Sequence, residues 1–363
     1  MNILILTGRF GMGHIRCAET IEERIRTNNP EASVYVVDLI NYLFPKFSKE
    51  IYKSFEILVS KFYNLYNFLN TAAEKYGGAP MKGVLKEKID ALVNETKPDI
   101  VVCNLPVCGQ YFGSYKRLTG KKIPMYVYIT DITFHNEWIA PEADLYFVGD
   151  NSTRNTLISK GIKKETIYVS GIPVSEDFSV NTETDLRDEN TPHVLIMGGG
   201  LGLIPGGEQT ISVLDRLSYA GVIKTTLICG NNVRLAKQAK QKYQNIEVLG
   251  YVEDVAELMK GASAVITKPG GITTFEAIKS CTPLFVVHPI LEQELGNAKF
   301  IEENNIGRVI YGKEKFDESE FIRFISDRIL RKSMQENMKE IEANLSEYNP
   351  IPYLLQERKW LQS

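Results

Sequence analysis

At 363 residues the chain is long for a single core, so two domains are the natural expectation. A hydrophobic share of 44%, a charged share of 24% and a net charge of −3 describe an ordinary soluble protein and argue against a dedicated nucleic-acid binder. The five cysteines form no Cys-x-x-Cys pair, the four histidines are scattered, and no apolar run reaches the ~18 residues of a membrane span, so neither structural zinc nor a spanning helix is expected.

A first strand is expected over residues 3–6, a short apolar run; the start lacks the charged n-region of a signal peptide and looks like that strand. A glycine loop follows, Thr7-Gly-Arg-Phe-Gly-Met-Gly-His14, then a helix from about 15 to 28 and a second strand over 34–38. This β-loop-α-β opening is typical of a parallel sheet. Gly8, Gly11 and Gly13, with Asp38 as a ribose ligand, approach a dinucleotide fingerprint, but its third glycine position is Arg16 and the pattern is broken. His14, directly after the glycines, is suited to taking a proton near neutral pH. The plainer alternative is a helix-start residue that bonds its neighbours.

Residues 42–88 interleave Phe44, Phe47, Tyr52, Phe55 and Phe62 with Lys46, Lys49, Lys53, Lys61 and Lys88. Ile51, Phe55, Leu58 and Phe62 recur at helical spacing. Two readings stand: an amphipathic helix lying on an anionic membrane, or a core-facing helix with solvated lysines. Strands are expected next over 100–103, 125–130, 145–148 and 167–170. After the second of these comes Thr130-Asp-Ile-Thr-Phe-His-Asn-Glu-Trp138. Asp131 and His135 are metal-ligand types but only two, and Asp131 is better read as orienting His14 or an acceptor hydroxyl.

Residues 175–191 are polar and acidic, as a solvated linker is. A second series of strands is expected over 193–197, 225–229, 246–249, 264–267 and 284–287, with helices over 209–220, 234–243, 255–260, 275–280 and 296–304. Gly198-Gly-Gly-Leu-Gly202 reads as backbone packed against a ligand or a facing domain, or else as a hinge. In Lys268-Pro-Gly-Gly-Ile-Thr-Thr-Phe-Glu276, Gly270 and Gly271 allow close backbone approach, Thr273 reads as a helix cap and Glu276 as its capping-box partner. A strand, a glycine turn and a helix start make an anion site. Gln293, Glu294 and Asn297 are of the kind that reads sugar hydroxyls, or are helix-capping residues of a polar loop. Residues 318–361 read as helices, interrupted at Asn349-Pro-Ile-Pro352.

Taken together, Gly11-Met-Gly-His14, Thr130-Asp131…His135-x-x-Trp138, Gly198-Gly-Gly200, Lys268-Pro-Gly-Gly-x-Thr273-x-x-Glu276 and Gln293-Glu294-x-x-Asn297 resemble one family over nearly the whole chain. It is the family that makes monogalactosyl- and glucosyl-diacylglycerol, with the lipid II-forming GlcNAc transferase as a more distant relative. The resemblance implies an α/β protein of the GT-B fold, two Rossmann-like doubly wound domains facing a central cleft. The domains are then 1–178, taking acceptor and membrane, and 192–330, taking the UDP-sugar, with helices over 331–363 packing back toward the first domain. It implies an inverting hexosyltransferase that needs no catalytic metal and moves galactose or glucose from a UDP-sugar to the hydroxyl of diacylglycerol. Such an enzyme is cytoplasmic and attached peripherally to the inner face of the cell membrane.

By this resemblance His14 is the base, with Asp131 beside it. The donor is held by Gly199, Gly200, Asn231, Val252, Lys268, Gly270, Gly271, Thr273, Thr274, Glu276, Gln293, Glu294 and Asn297. Within that set Glu276 binds the ribose, Gly270, Gly271 and Thr273 the diphosphate, and Gln293 and Glu294 the sugar. Gly13, His135, Trp138, Phe55, Phe62, Lys49, Lys53 and Lys61 serve the acceptor and an anionic membrane surface. The Pro-Gly-Gly order is that of the bacterial branch, where plant enzymes have Gly-Pro-Gly, and it leaves galactose and glucose open. A GlcNAc transferase on another acceptor, a sugar-nucleotide epimerase and a non-catalytic sugar-nucleotide sensor are the rival readings.

Overall fold

The computed structural model describes residues 1–10, 12–61, 85–132, 134–180, 190–200, 202–311 and 316–346, with the side chains of 55–61, 292 and 346 left aside. The chain forms two compact units, one built on Met1–Pro173 and the other spanning Val174–Asn344.

The first unit runs β1 (Asn2–Thr7), α1 (Met12–Asn28), β2 (Ser33–Asp38), α2 (Leu39–Leu43), α3 (Ser48–Lys61), α4 (Lys86–Thr96), β3 (Ile100–Cys103), α5 (Pro106–Thr119), β4 (Met125–Tyr128), β5 (Leu145–Val148), α6 (Asn151–Ser159) and β6 (Ile167–Val169). Its six strands are all parallel, in the order β2-β1-β3-β4-β5-β6. A parallel sheet is covered on both faces, so its strands are continuous apolar runs: Ile-Val-Val-Cys in β3 and Met-Tyr-Val-Tyr in β4 are buried at every position. The strand order reverses between β1 and β3. Loops leaving these two neighbours diverge and open a crevice at their carboxyl ends.

The second unit runs β7 (His193–Met197), α7 (Gly207–Tyr219), β8 (Lys224–Ile228), α8 (Val233–Lys242), β9 (Glu247–Leu249), α9 (Val255–Lys260), β10 (Ala264–Thr267), α10 (Gly271–Lys279), β11 (Leu284–Val287), α11 (Glu292–Glu303), β12 (Gly307–Ile310), α12 (Glu318–Ser326) and α13 (Arg328–Ser346). Its parallel order is β12-β11-β10-β7-β8-β9, and here the reversal lies between β7 and β10. The glycine loops after β7 and β10 therefore flank one crevice within this unit.

Three expectations need correction. Strand β12 was not anticipated: it is short, begins with Gly307 and carries Arg308. A Cβ at Gly307 would lie 2.4 Å from the Leu284 carbonyl oxygen, so the tight approach to β11 demands the residue that hid the strand. Helix α10 begins four residues early, at Gly271. Its N-cap is Gly270, which offers no side-chain acceptor, so Thr273 and Glu276 are helical residues and not a capping box. Helix α11 likewise begins at Glu292 and carries Gly296 inside it. Of the expected linker, 181–189 lie outside the described residues. Its described start holds a short 3-10 turn, Glu176–Phe178, whose Phe178 is buried.

Candidate functional site

In the first unit the polar centre lies at the ends of β1, β3 and β4. His14 sits in the first turn of α1, where Nδ1 lies 3.1 Å from the Asn104 carbonyl oxygen and 2.9 Å from Thr130 Oγ1. The His14 carbonyl accepts from Asn104 Nδ2 at 2.6 Å and from Thr7 Oγ1 at 3.2 Å. Burial lowers the pKa of His14, while the Asp131 carboxylate and the Asn104 carbonyl oppose that shift. Its neutral form is therefore favoured, and the neutral form is the one that accepts a proton.

Asp131 is held by Trp138, whose Nε1 donates to Oδ2 at 3.0 Å. The Trp138 ring, expected on the acceptor side, is 1% exposed and packed in the core of the unit. The ring is core, and its polar contact among the described residues is with Asp131. His135 is half-buried, and its Nε2 has no hydrogen-bond partner among the described residues. Gly13 is partly buried beside His14 in the same turn. Asp38, the ribose ligand of the broken fingerprint, is engaged elsewhere: it caps α2 through Asn41 N, takes the Tyr52 hydroxyl at 2.5 Å and lies 3.5 Å from Arg9 Nε. Lys46, Lys49 and Lys53 are exposed, and Phe47 between them is 64% exposed. Phe62 and the side chains of Phe55 and Lys61 lie outside the described residues.

In the second unit the crevice between β7 and β10 gathers most of the expected donor residues. Gly199 has φ +68°, a left-handed turn, and a Cβ there would meet nothing within 4 Å among the described residues. Asn231, exposed after β8, donates its N–H to the Gly200 carbonyl at 3.0 Å. Val252 is partly buried after β9.

Across the reversal, Lys268-Pro-Gly-Gly leads from β10 into α10. Among the described residues, chain neighbours aside, a Cβ on Gly270 would come within 4 Å of Thr273 Oγ1 alone, at 3.9 Å. The N-cap, Gly270, makes no side-chain cap hydrogen bond among the described residues, and a helix start of this kind is one where an anion can be bound. Thr273 is partly exposed there. Thr274, expected at the donor, is fully buried and gives its hydroxyl proton to the Gly270 carbonyl at 2.9 Å, so it supports the turn from below. Glu276 is 7% exposed one turn further along.

Helix α11 closes the same loop. Asn297 Nδ2 donates to the Pro269 carbonyl at 2.7 Å, while its Oδ1 is buried without a partner among the described residues. Glu294 Oε2 accepts from Ile290 N at 3.0 Å and Leu291 N at 3.2 Å, and Oε1 meets Lys268 Nζ at 3.2 Å. Glu294 is thus the capping residue of α11, and it ties Lys268 to that helix. Gln293 beside it is partly exposed. Among the described residues no three His, Cys, Asp or Glu side chains gather as a metal site, and Asp131 with His135 gains no third ligand.

Asn104 escaped the sequence reading. The signal was a polar residue ending an apolar strand beside a strand-order reversal.

Comparison with known proteins agrees with this layout. The family model of monogalactosyldiacylglycerol (MGDG) synthase matches residues 14–174, and that of the glycosyltransferase family 28 C-terminal domain matches 193–349. A processive diacylglycerol beta-glucosyltransferase of Bacillus cereus is 30% identical over 93% of this chain and 89% of its own. One of Bacillus cytotoxicus is 29% identical over 85% of this chain and 81% of its own. Among solved structures, the glycotransferase of kitacinnamycin aligns with a TM-score of 0.66 at 12% identity over 98% of both chains. A UDP-GlcNAc 2-epimerase from Neisseria meningitidis aligns with a TM-score of 0.63 at 15% identity over 98% of this chain and 100% of that one. At such identities these structures speak to the fold alone, which is GT-B.

Proposed function

The chain belongs to the diacylglycerol glycosyltransferase family, and we propose that it transfers glucose from a UDP-sugar to the hydroxyl of diacylglycerol. The observation that carries this reading is the 30% identity to a diacylglycerol glucosyltransferase over 93% of the chain. The fold cannot do so, because transferases and epimerases share it. Galactose is the second reading, favoured by the family model over 14–174.

The chemistry follows from the two polar centres. The acceptor hydroxyl attacks the anomeric carbon while His14 takes its proton. The bond from that carbon to UDP breaks, and its electron pair leaves on the diphosphate. The uncapped N–H groups of α10 and the ammonium of Lys268 stabilise the growing negative charge without a metal ion. Glu276 receives the ribose hydroxyls, and Gln293 reads the sugar. Asp131 supports the imidazolium that forms.

The acceptor is a lipid, so the first unit is proposed to dock on anionic membrane. Phe47 and its exposed lysines, Lys46, Lys49 and Lys53, present an aromatic ring within a cluster of positive charge. Among the described residues no helix is long and apolar enough to cross a membrane, which leaves surface attachment as the proposed mode.

The test is incubation with diacylglycerol vesicles and UDP-glucose, UDP-galactose or UDP-GlcNAc, each with and without EDTA, followed by analysis of the lipids. Glucosyl-diacylglycerol formed in EDTA is the expected product. Galactolipid alone selects the second reading. Sugar-nucleotide turnover with no glycolipid from any donor overturns both.

A further inference from the structure

We propose that Asn104, assisted by Thr130, is the positioning residue of His14 and fixes which of its ring nitrogens acts as the base. The inference rests on the reading of His14 as that base.

Asn104 follows β3 directly, at the strand-order reversal of the first unit, and is fully buried. Two hydrogen bonds join it to His14 in opposite senses. Its side-chain Nδ2 donates to the His14 carbonyl at 2.6 Å and tethers the first turn of α1. Its own carbonyl lies 3.1 Å from His14 Nδ1 and orients the ring. A carbonyl oxygen only accepts, so Nδ1 carries the hydrogen and the lone pair of the neutral ring falls on Nε2. Thr130 Oγ1, 2.9 Å from the same Nδ1, is a second acceptor for that hydrogen.

The arrangement suits a base. When Nε2 takes the acceptor's proton, Nδ1 keeps its own and the ring becomes a cation. Both bonds at Nδ1 then become charge-assisted and strengthen. The nearby Asp131 carboxylate favours the same charged form. The gain arises as the proton moves and not before, which is what accelerates a reaction.

Packing alone does not account for Asn104. Its Oδ1 is buried with no hydrogen-bond partner among the described residues, which is a cost that an apolar residue would avoid. Exchanging the amide's nitrogen and oxygen would break the tether, because the oxygen would then face the His14 carbonyl. The four residues before it, Ile100 to Cys103, are all apolar and buried. A polar side chain with one unsatisfied atom at this single position is explained by the clamp on His14.

The test uses the full chain labelled with 15N-histidine. It holds four histidines, and the spectrum of His14→Gln assigns the signal of His14. At a pH where the ring is neutral, the wild type is expected to show a protonated Nδ1 and an unprotonated Nε2. Asn104→Ala keeps the backbone carbonyl but loses the tether that holds the first turn of α1 against it, so the ring shifts off that carbonyl, the two tautomers mix, and kcat falls about 10²-fold, as for a displaced catalytic group, with KM for UDP-glucose unchanged. Thr130→Val keeps the packing and loses the acceptor. It is expected to lower kcat about tenfold, as the loss of a single hydrogen bond does, and Thr130→Ser to restore it.

A wild-type ring protonated at Nε2 overturns the proposal. So does an unchanged kcat and tautomer in Asn104→Ala. If that variant does not fold, equal rates for Thr130→Val and Thr130→Ser overturn it instead. Full activity of His14→Gln, with the tautomers as expected, removes the base reading but leaves Asn104 as the residue that orients the ring.

Discussion

Glu294 was expected to hold the donor sugar, yet its carboxylate makes three contacts within its own unit. Oε2 accepts from Ile290 N and Leu291 N at the start of α11, and Oε1 pairs with Lys268 at 3.2 Å. Glu294→Ala removes a buried cap worth about 0.5–2 kcal/mol and a charge-assisted pair of comparable size. Lys268 has a side chain 33% exposed, so water screens its loss of a partner and that contribution is discounted. The sum is roughly 0.5–3 kcal/mol, or roughly 1–12 °C of melting temperature for a unit of this size. Glu294→Gln keeps an oxygen for the two N–H groups and loses only the pair, which is worth about 1 kcal/mol or less. Thermal unfolding of both variants, followed with UDP as a reporter of the second unit, separates the cases. An alanine variant that melts no lower than the glutamine variant would refute the capping role. A raised KM for UDP-glucose in the stable glutamine variant would show that the carboxylate also touches the sugar.

His14→Ala is expected to lower kcat by about 10²–10⁴-fold while UDP binds normally in calorimetry. Because burial depresses the pKa of His14, the acid limb of kcat/KM should fall below the ordinary histidine value of about 6.5, and that limb should vanish in the variant. Glu276→Ala should weaken UDP binding by roughly 1.5–3 kcal/mol, tenfold or more, and an unchanged affinity would remove the ribose assignment. Gly270→Ala meets no atom of the described residues closer than 3.9 Å, chain neighbours aside, and has φ −75°, so its melting temperature should hold while UDP affinity drops; a loss of both would mean the turn itself had failed. Replacing Lys46, Lys49 and Lys53 by glutamate should strip binding to anionic vesicles at about 1 kcal/mol per lost lysine, and equal sedimentation of wild type and variant would refute electrostatic docking.

The strands were legible because a parallel sheet buried on both faces needs apolar runs, and such runs stand out from amphipathic helices. Residues 100–103, 145–148, 193–197, 264–267 and 284–287 were expected as strands and are strands at those bounds. Strand β12 escaped because the close approach to Leu284 requires Gly307, and glycine reads as a breaker. The start of α10 was misjudged for a related reason. Gly271 looks like turn, and Thr273 with Glu276 three residues on looks like a capping box. In the fold the helix opens on Gly270, which has no side chain to cap it. Local capping preference and ligand binding compete for the same four donors, and a sequence rule that assumes capping places the boundary too late.

The turns proposed to hold the donor were legible in the sequence and the partners of His14 were not, and the difference is one of range. Gly199 and Gly270 reflect demands of the local backbone, a left-handed turn and an open helix start, and such demands restrict residue type where they occur. The partners of His14 lie 90 and 116 positions away in sequence and meet it only because β1, β3 and β4 are neighbours in one sheet. Trp138 shows the same limit from the other side. Its place near Asp131 in sequence was noticed, but an aromatic ring in a loop reads equally as a lipid contact or as core. The strand ends decide it. They bring the indole N–H to the carboxylate, the carboxylate's charge to the imidazole and the Asn104 carbonyl to Nδ1. A residue at the carboxyl end of an apolar strand beside a strand-order reversal should therefore be read for what it can reach across the sheet before it is read for its neighbours in sequence.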